Sequence, residues 1–551
     1  MQQPRRIFNW LVPVALGLMA FGTVVGWRAA DPANVAWLLS SDDQAESYLG
    51  WVFYRDASPG AVPGSNDKYG LELSSGVFYA DVVPLIALPL KHLSDLLPQP
   101  FQYTGLWLMT CFVLQATMAW LLLAALPLTL LQRACATVLF LFAPPLLFRV
   151  GSHNDLCAHW LILCGLALSL SRPSRYTPLG WVLLMAAASL IHSYLFAMVA
   201  ILWAGDVVRR AFIERTSPLL MAAEGVAVLG LTGTALWAAG FFTVSSGMVE
   251  SGFGRYKMNL LSPIDSSGWS YVLPDIGEGK GDYEGFNFLG LGLLLVAAVA
   301  VYLVIRQRDW RRIPRTAWPL IGAATVLTLY AISNVITIGP HDVEIPLPAA
   351  IIDAANVLRS SGRMFWPVFY LVTLVAIWVV ATHFSGTRVL TALLAIAAVV
   401  QVADTSAGWR QRRAVFAIQG SDIQTTMRAG AWQDFARHYA RLRVVPLERW
   451  TDDWRELTYF AGRHGLGTDA ARLSRVDEVK LKERAEAAQE AVRSGSYDAD
   501  SFYVIDHAAS LLAASSLRKG DLMRDIDGRV VVAPRFCLMA PENPLCEHQN
   551  P

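Results

Sequence analysis

Charge is what this sequence has least of. Lys, Arg, Asp and Glu make up 16% of its 551 residues, whereas soluble proteins carry about 25%, and the mean hydropathy is +0.39. That deficit points to lipid. Neither sign is in surplus, and a net charge of +1 leaves no basic surplus to neutralise a phosphate backbone, which argues against nucleic acid as a partner. Cysteine is scarce as well. Cys111, Cys135, Cys157 and Cys164 fall in apolar segments and read as small buried hydrophobes. Cys537 and Cys546 stand in a polar tail where a bridge is open, although spacing alone never establishes one. No small-residue cleavage site follows the opening "MQQPRRIFNWLVPVALGLMAFGTVVGW", so it reads as a first membrane helix rather than a removable signal. Internal repeats are lacking too, which weighs against a secondary transporter.

What the chain does have is apolar runs. Beyond the first they lie near 103–126, 131–149, 154–171, 178–191, 194–208, 218–243, 288–305, 317–337, 364–382 and 389–404. Eleven spans place Arg5, Arg6, Arg133, Arg172, Arg175, Arg209, Arg210, Arg215, the stretch "RQRDWRRIPR" (306–315) and Arg388 on one side. Such a bias marks the cytoplasmic face, which puts the N-terminus inside and the tail outside. The 19 tryptophans suit interfacial anchors. Outside loops near 30–100, 244–287 and 338–363 then exceed mere connectors. Residues 405–551 alternate helical patterns with the β-like runs "RVVPL", "FYVI" and "RVVVA", as a small α/β unit does. "DIDGRVVVAP" reads as a turn feeding a strand.

The first outside loop concentrates acids. "SSDDQAESYLGW" (40–51) carries Asp42, Asp43 and Glu46 ahead of the apolar face of Tyr48, Leu49, Trp51, Val52 and Phe53, and "YADVVPLIALPLKHL" brings Asp81 before a second apolar segment. The plainer reading is two amphipathic helices lying on the membrane, with Asp42 or Asp43 as an N-cap.

The pattern resembles the GT-C superfamily of integral-membrane glycosyltransferases. "SDDQAESY" looks like its acidic motif after the first span and "DVVPLIAL" like its Pro-Leu loop element. "FQYTGLW" (101–107), "DYEGFNFLGLG" (282–292) and "SSGRMFWPVFY" (360–370) are similar to a group of bacterial membrane proteins of unassigned function related to those enzymes. The resemblance implies an α-helical polytopic membrane protein of about eleven spans over 1–404. Its long first periplasmic loop would carry amphipathic helices, and a small periplasmic α/β domain would occupy 405–551. It also implies a bacterial inner-membrane location, a polyprenyl-phosphate sugar donor, a glycan or lipid-linked acceptor, and an inverting hexosyl or pentosyl transfer. Some members use a divalent cation, so metal stays open.

Transfer to a hydroxyl needs a base, and an ionised carboxylate within reach serves. Asp43 and Asp42 are the first candidates and Asp81 the next, whether by orienting the acceptor or by raising a neighbour's pKa. The departing phosphate needs cations, for which Arg363, Arg359, Arg255 and Lys257 are candidates. Arg359 and Arg363 would share a helical face, while snorkelling at the interface is the plainer role for all four. His192, Glu284 and Tyr48 are candidate substrate contacts. His153, Asp155 and His159 in "SHNDLCAHW" make a weak metal pattern, because three convergent ligands are not evident. Two other classes stay open: a flippase for a lipid-linked saccharide, and a non-catalytic envelope scaffold.

Overall fold

The computed structural model describes residues 3–547 apart from 59, 245–250, 278, 280, 308–313 and 424, with side chains from residue 10 onward. Residues 308–313 of the basic stretch, part of the 244–287 loop, and the side chains of Arg5 and Arg6 lie outside the described residues. The chain divides into two compact units. The first comprises Met1–Asn34, Gln102–Ala235 and Glu250–Gln419, and the second Val35–Phe101, Leu236–Val249 and Gly420–Pro551.

The first unit is helical. Gln3–Val24 packs on Thr104–Leu123 through Gly17, where a Cβ would come within 2.6 Å of the Val113 Cα, so the two backbones approach as only glycine allows. Eleven spans are not what these helices make. Among the described residues only Thr104–Leu123, Pro218–Ala238 and Ser361–His383 are long and apolar enough to cross a membrane. A fourth is reached if Arg388–Asp404 and Ser406–Val415, bent by 49°, count as one span. The reason is length. A crossing of about 30 Å takes about 20 residues at 1.5 Å each, but Leu130–Leu141, Trp160–Leu170, Thr177–Ser189, Leu291–Gln307 and Trp318–Ile332 run from 11 to 17 residues. The run 317–337 is not one helix either: it stops at Ile332 and continues as the strand Val335–Ile338, paired antiparallel with His341–Glu344. Ser193–Phe212 is long enough but carries Asp206, Arg209 and Arg210, with Arg210 bridging Asp206 at 2.8 Å and Glu224 at 2.6 Å. The eleven-span polytopic fold is thereby overturned.

In the second unit the first-loop segment contributes α1 (Asp42–Asp56) and α2 (Pro84–Lys91). The tail adds α3 (Ala431–His438), β1 (Arg441–Val445), α4 (Trp454–Arg463), β2 (Gly467–Thr468), α5 (Glu478–Ser494), β3 (Ser501–Ile505), α6 (His507–Ser516), β4 (Leu522–Ile526) and β5 (Arg529–Ala533). The strands form one sheet in the order β2-β1-β3-β5-β4, with β1 parallel to β2 and β3, and β5 antiparallel to β3 and β4. Asp527 and Gly528 both take positive φ, 54° and 80°, which is the two-residue turn that suits a twisted hairpin. The α5 and α6 side chains Val492 and Ala513 pack on Val445, Tyr503, Ile505, Val530 and Val532 of the sheet.

The first-loop helix differs from a surface-lying one. Ten of the fifteen α1 residues are buried, Glu46 and Arg55 among them. A helix covered on most sides is packed in protein rather than laid on a surface by one face. Nor is either aspartate the N-cap: extended Ser41 holds that place, and Asp42 and Asp43 occupy the first turn, where their charge complements the helix dipole.

Candidate functional site

In the second unit α1 turns Asp43, Glu46, Ser47 and Gly50 to one side, since residues three and four apart share a helix face. The segment ahead of α2 is held against that face. Ser47 Oγ donates to the Asp81 carbonyl at 2.8 Å, and Gly50 makes room for Ala80, to which a Cβ there would come within 2.8 Å. Asp81 and Val83 take left-handed backbone at φ 51° and 50°. For a β-branched valine that is strained, and such strain gathers at functional sites. Pro84, at the start of α2, fixes the exit of the turn.

From the tail, Arg472 reaches Asp43 Oδ1 at 3.1 Å and Glu46 Oε2 at 3.5 Å. Ser474 donates to Glu46 Oε1 from its amide at 3.0 Å and from its hydroxyl at 2.5 Å. Tyr69 donates to the Arg472 carbonyl at 2.9 Å. Burial, reinforced by the charge of Asp81, pushes the Glu46 carboxyl up to about 8 against the pull of Ser474 and Arg472. Burial and the same acids raise the Tyr69 hydroxyl. Of two carboxyls crowded together one keeps its proton, so Glu46 is the protonated member. Arg472 Nη1 is buried with no hydrogen-bond partner among the described residues.

Asp42 stands apart from that cluster. It is 59% exposed, 3.3 Å from Arg455, and accepts from Trp454 Nε1. Tyr48 lines a cavity of about 430 Å³ together with Phe101, Tyr459, Arg463, Arg55 and Asp56, a mixture of rings and charged groups.

The remaining sequence candidates belong to the first unit. Arg363 is not a free cation, because its Nε and Nη2 grip Glu284 at 2.7 and 2.8 Å while Arg149 approaches the same carboxylate at 2.9 Å. Two guanidiniums share one carboxylate in a buried place, with the buried Asp155 also acting on Arg363, and Arg149 Nε has no hydrogen-bond partner among the described residues. Burial alone would raise Glu284, yet Arg149 and Arg363 outweigh it and hold the acid well below the usual carboxylate range. Two glycines create the contact. A Cβ on Gly362 would overlap the Gly285 Cα, and Asn287 Nδ2 donates to both their carbonyls, at 2.9 and 3.1 Å. Lys257 is buried on Asp282 at 3.2 Å. Arg255 is exposed over Tyr256. Arg359 does not share a helix with Arg363, since Ala349–Asn356 ends before it and the 3₁₀ turn Ser361–Phe365 begins after it. His192 caps Ser193–Phe212, accepting from the Tyr194 amide, and sets Nε2 3.3 Å from Asp155. His159 bonds the Tyr370 hydroxyl at 2.8 Å.

Glu46 was in view in the sequence without a role, and Arg149, Arg472 and Ser474 had no signal at all. Nothing local in "DAARLSRVDE" says that its arginine and serine meet an acid more than 400 positions away.

A helix-rich unit with a few helices long and apolar enough to span, and a mixed α/β unit with buried acids, define a two-unit protein with charged centres inside both parts. The chain belongs to the DUF6311 family: the profile described as "Domain of unknown function (DUF6311)" matches residues 14–406, and the "DUF6311 C-terminal domain" matches 431–534. No curated protein matches the chain. The family description carries no activity, so any chemistry must be argued from the residues.

Proposed function

We propose that this protein is a membrane glycosyltransferase that moves a sugar from a polyprenyl-phosphate donor to a glycan or lipid-linked acceptor. The observation that carries the reading is the convergence of Asp43 and Glu46 on Arg472, with Asp81 on a strained turn held against the same helix face and its charge felt by Glu46. With Glu46 holding its proton, Asp43 and Asp81 are the carboxylates left to act as base. In the step, the base takes the proton of an acceptor hydroxyl, whose oxygen bonds to the anomeric carbon. The bond from that carbon to the phosphate oxygen breaks, and the lipid phosphate leaves with the electron pair. The paired guanidiniums of Arg149 and Arg363 support phosphate binding in the first unit. The ring-lined cavity at Tyr48 suits a saccharide. The span-capable helices lie in a bacterial cytoplasmic membrane on this reading, and the second unit faces the periplasm. The Cys537–Cys546 disulfide favours such an oxidising compartment for the tail.

The test is sugar transfer in membranes containing the protein, supplied with a panel of radiolabelled polyprenyl-phosphate sugars. Abolition by Asp43→Asn or Asp81→Asn, with protein levels matched, names the base. Loss with Asp42→Asn alone moves the base out of the cluster. Transfer from no donor rejects the enzyme and leaves a flippase or a scaffold.

A further inference from the structure

A second cavity, of about 410 Å³, sits in the α/β sheet itself. It lies at the carboxyl ends of the adjacent parallel strands β1 and β3, lined there by Val445, Pro446, Ile505, Asp506 and His507. The connections diverge at this point. From β1 the chain passes through α4 to β2 on one flank, and from β3 it passes through α6 to β4 and β5 on the other. Where neighbouring parallel strands send their connections to opposite sides, a crevice opens above their carboxyl ends, and ligands of open α/β sheets bind there.

The lining says what would fit. Asp452, Asp453 and Asp506 face the space with Arg529 as the one arginine, and Arg529 is already held by Asp453 at 3.0 Å and by Glu456 at 3.1 Å. An anion would meet repulsion. The three aspartates do not form a group of ligand atoms converging within the reach of one ion among the described residues, which sets aside a divalent cation. The floor is aliphatic, made by Val445, Val504, Leu457 and Val530. Thr451 Oγ1 is buried in the wall with no hydrogen-bond partner among the described residues, and such an orphan is resolved by a bound polar group. Carboxylates that accept hydrogen bonds from hydroxyls, beside an apolar floor for C–H faces, suit a ligand that is uncharged and rich in hydroxyls. The volume lies within the roughly 300–1,000 Å³ usual for small-molecule sites.

We propose that this crevice binds a neutral saccharide of one or two rings, through Asp452, Asp453 and Thr451 over the aliphatic floor. The site shares no residue with the acid cluster around Arg472, and it stands or falls independently of sugar transfer.

The experiment uses the full chain in detergent and saturation-transfer NMR. The probes are glucose, mannose, galactose, N-acetylglucosamine and their disaccharides, with glucose 1-phosphate and calcium chloride as the charged comparisons. At least one neutral probe should bind, and Asp452→Ala or Thr451→Val should weaken it about tenfold, which by RT ln 10 is about 1.4 kcal/mol. Asp452 is exposed, so its replacement leaves the fold standing, as the melting curve will show. Binding of no neutral probe overturns the proposal, as does binding untouched by both variants. Preference for glucose 1-phosphate or for calcium overturns it equally and names the other ligand class.

Discussion

Glu46→Gln is the perturbation with the clearest physical consequence. The carboxyl is 2% exposed and sits at about 8 in place of its ordinary 4.5, chiefly because burial penalises the charged form. For an acid raised on folding, the stability linked to its proton is fully present below pH 4.5 and is lost as pH climbs through 8. The difference, 8 − 4.5 = 3.5 pH units, at about 1.4 kcal/mol each sets a ceiling of about 5 kcal/mol. Glutamine keeps the oxygen that accepts from Ser474 and has no proton to lose, so the variant escapes that loss. Melting of the full-length protein in detergent, followed by tryptophan fluorescence from about pH 5 to about pH 9, reads the difference directly. At the acid end the two proteins should melt together or the variant slightly lower. At the alkaline end Glu46→Gln should melt higher by on the order of 10 °C, taking about 2–4 °C per kcal/mol for a domain of this size. A gap between the two proteins that does not change with pH, or one that shrinks as pH rises, would refute the assignment of the proton to Glu46.

Two more expectations concern buried charge and the covalent staple. Glu284→Gln strands two buried arginines, Arg149 and Arg363, and should cost about 3–5 kcal/mol in denaturant unfolding, as breaking one side of a buried ion pair does. Cys537→Ser opens a loop of nine residues' separation and should lower the stability of the tail end by about 3 kcal/mol on the chain-entropy account, seen as faster proteolysis after Pro534.

Much of the local structure was written in short windows. Asp527–Gly528 ahead of the β-branched run of β5 dictates the β4–β5 hairpin, because Asp-Gly is among the pairs that take two positive φ values cheaply. Acids just after Ser41 announce the start of α1. Apolar runs were another matter. "WLILCGLALSL" and "TPLGWVLLMAAAS" have the composition of spans, but each stops short of the bilayer's width, and composition cannot tell burial in protein from burial in lipid. The first loop misled for a related reason. Its apolar face reads as a membrane anchor when seen alone, and it is covered instead within a unit that also contains the tail.

The sequence by itself determined the apolar, charge-poor composition, the breaks between helices, the hairpin turn, and the presence of acids at 42, 43, 46 and 81. Those are set by propensity and pattern over a few residues. Which acids act together, which arginine answers them, and which carboxyl keeps its proton were decided only in three dimensions. Arg472 and Ser474 reach Glu46 from the far end of the chain, and Gly362 meets Gly285 so that Arg363 closes on Glu284. A pKa depends on burial and on neighbouring charge within a few ångströms, and neither quantity exists until the chain has folded.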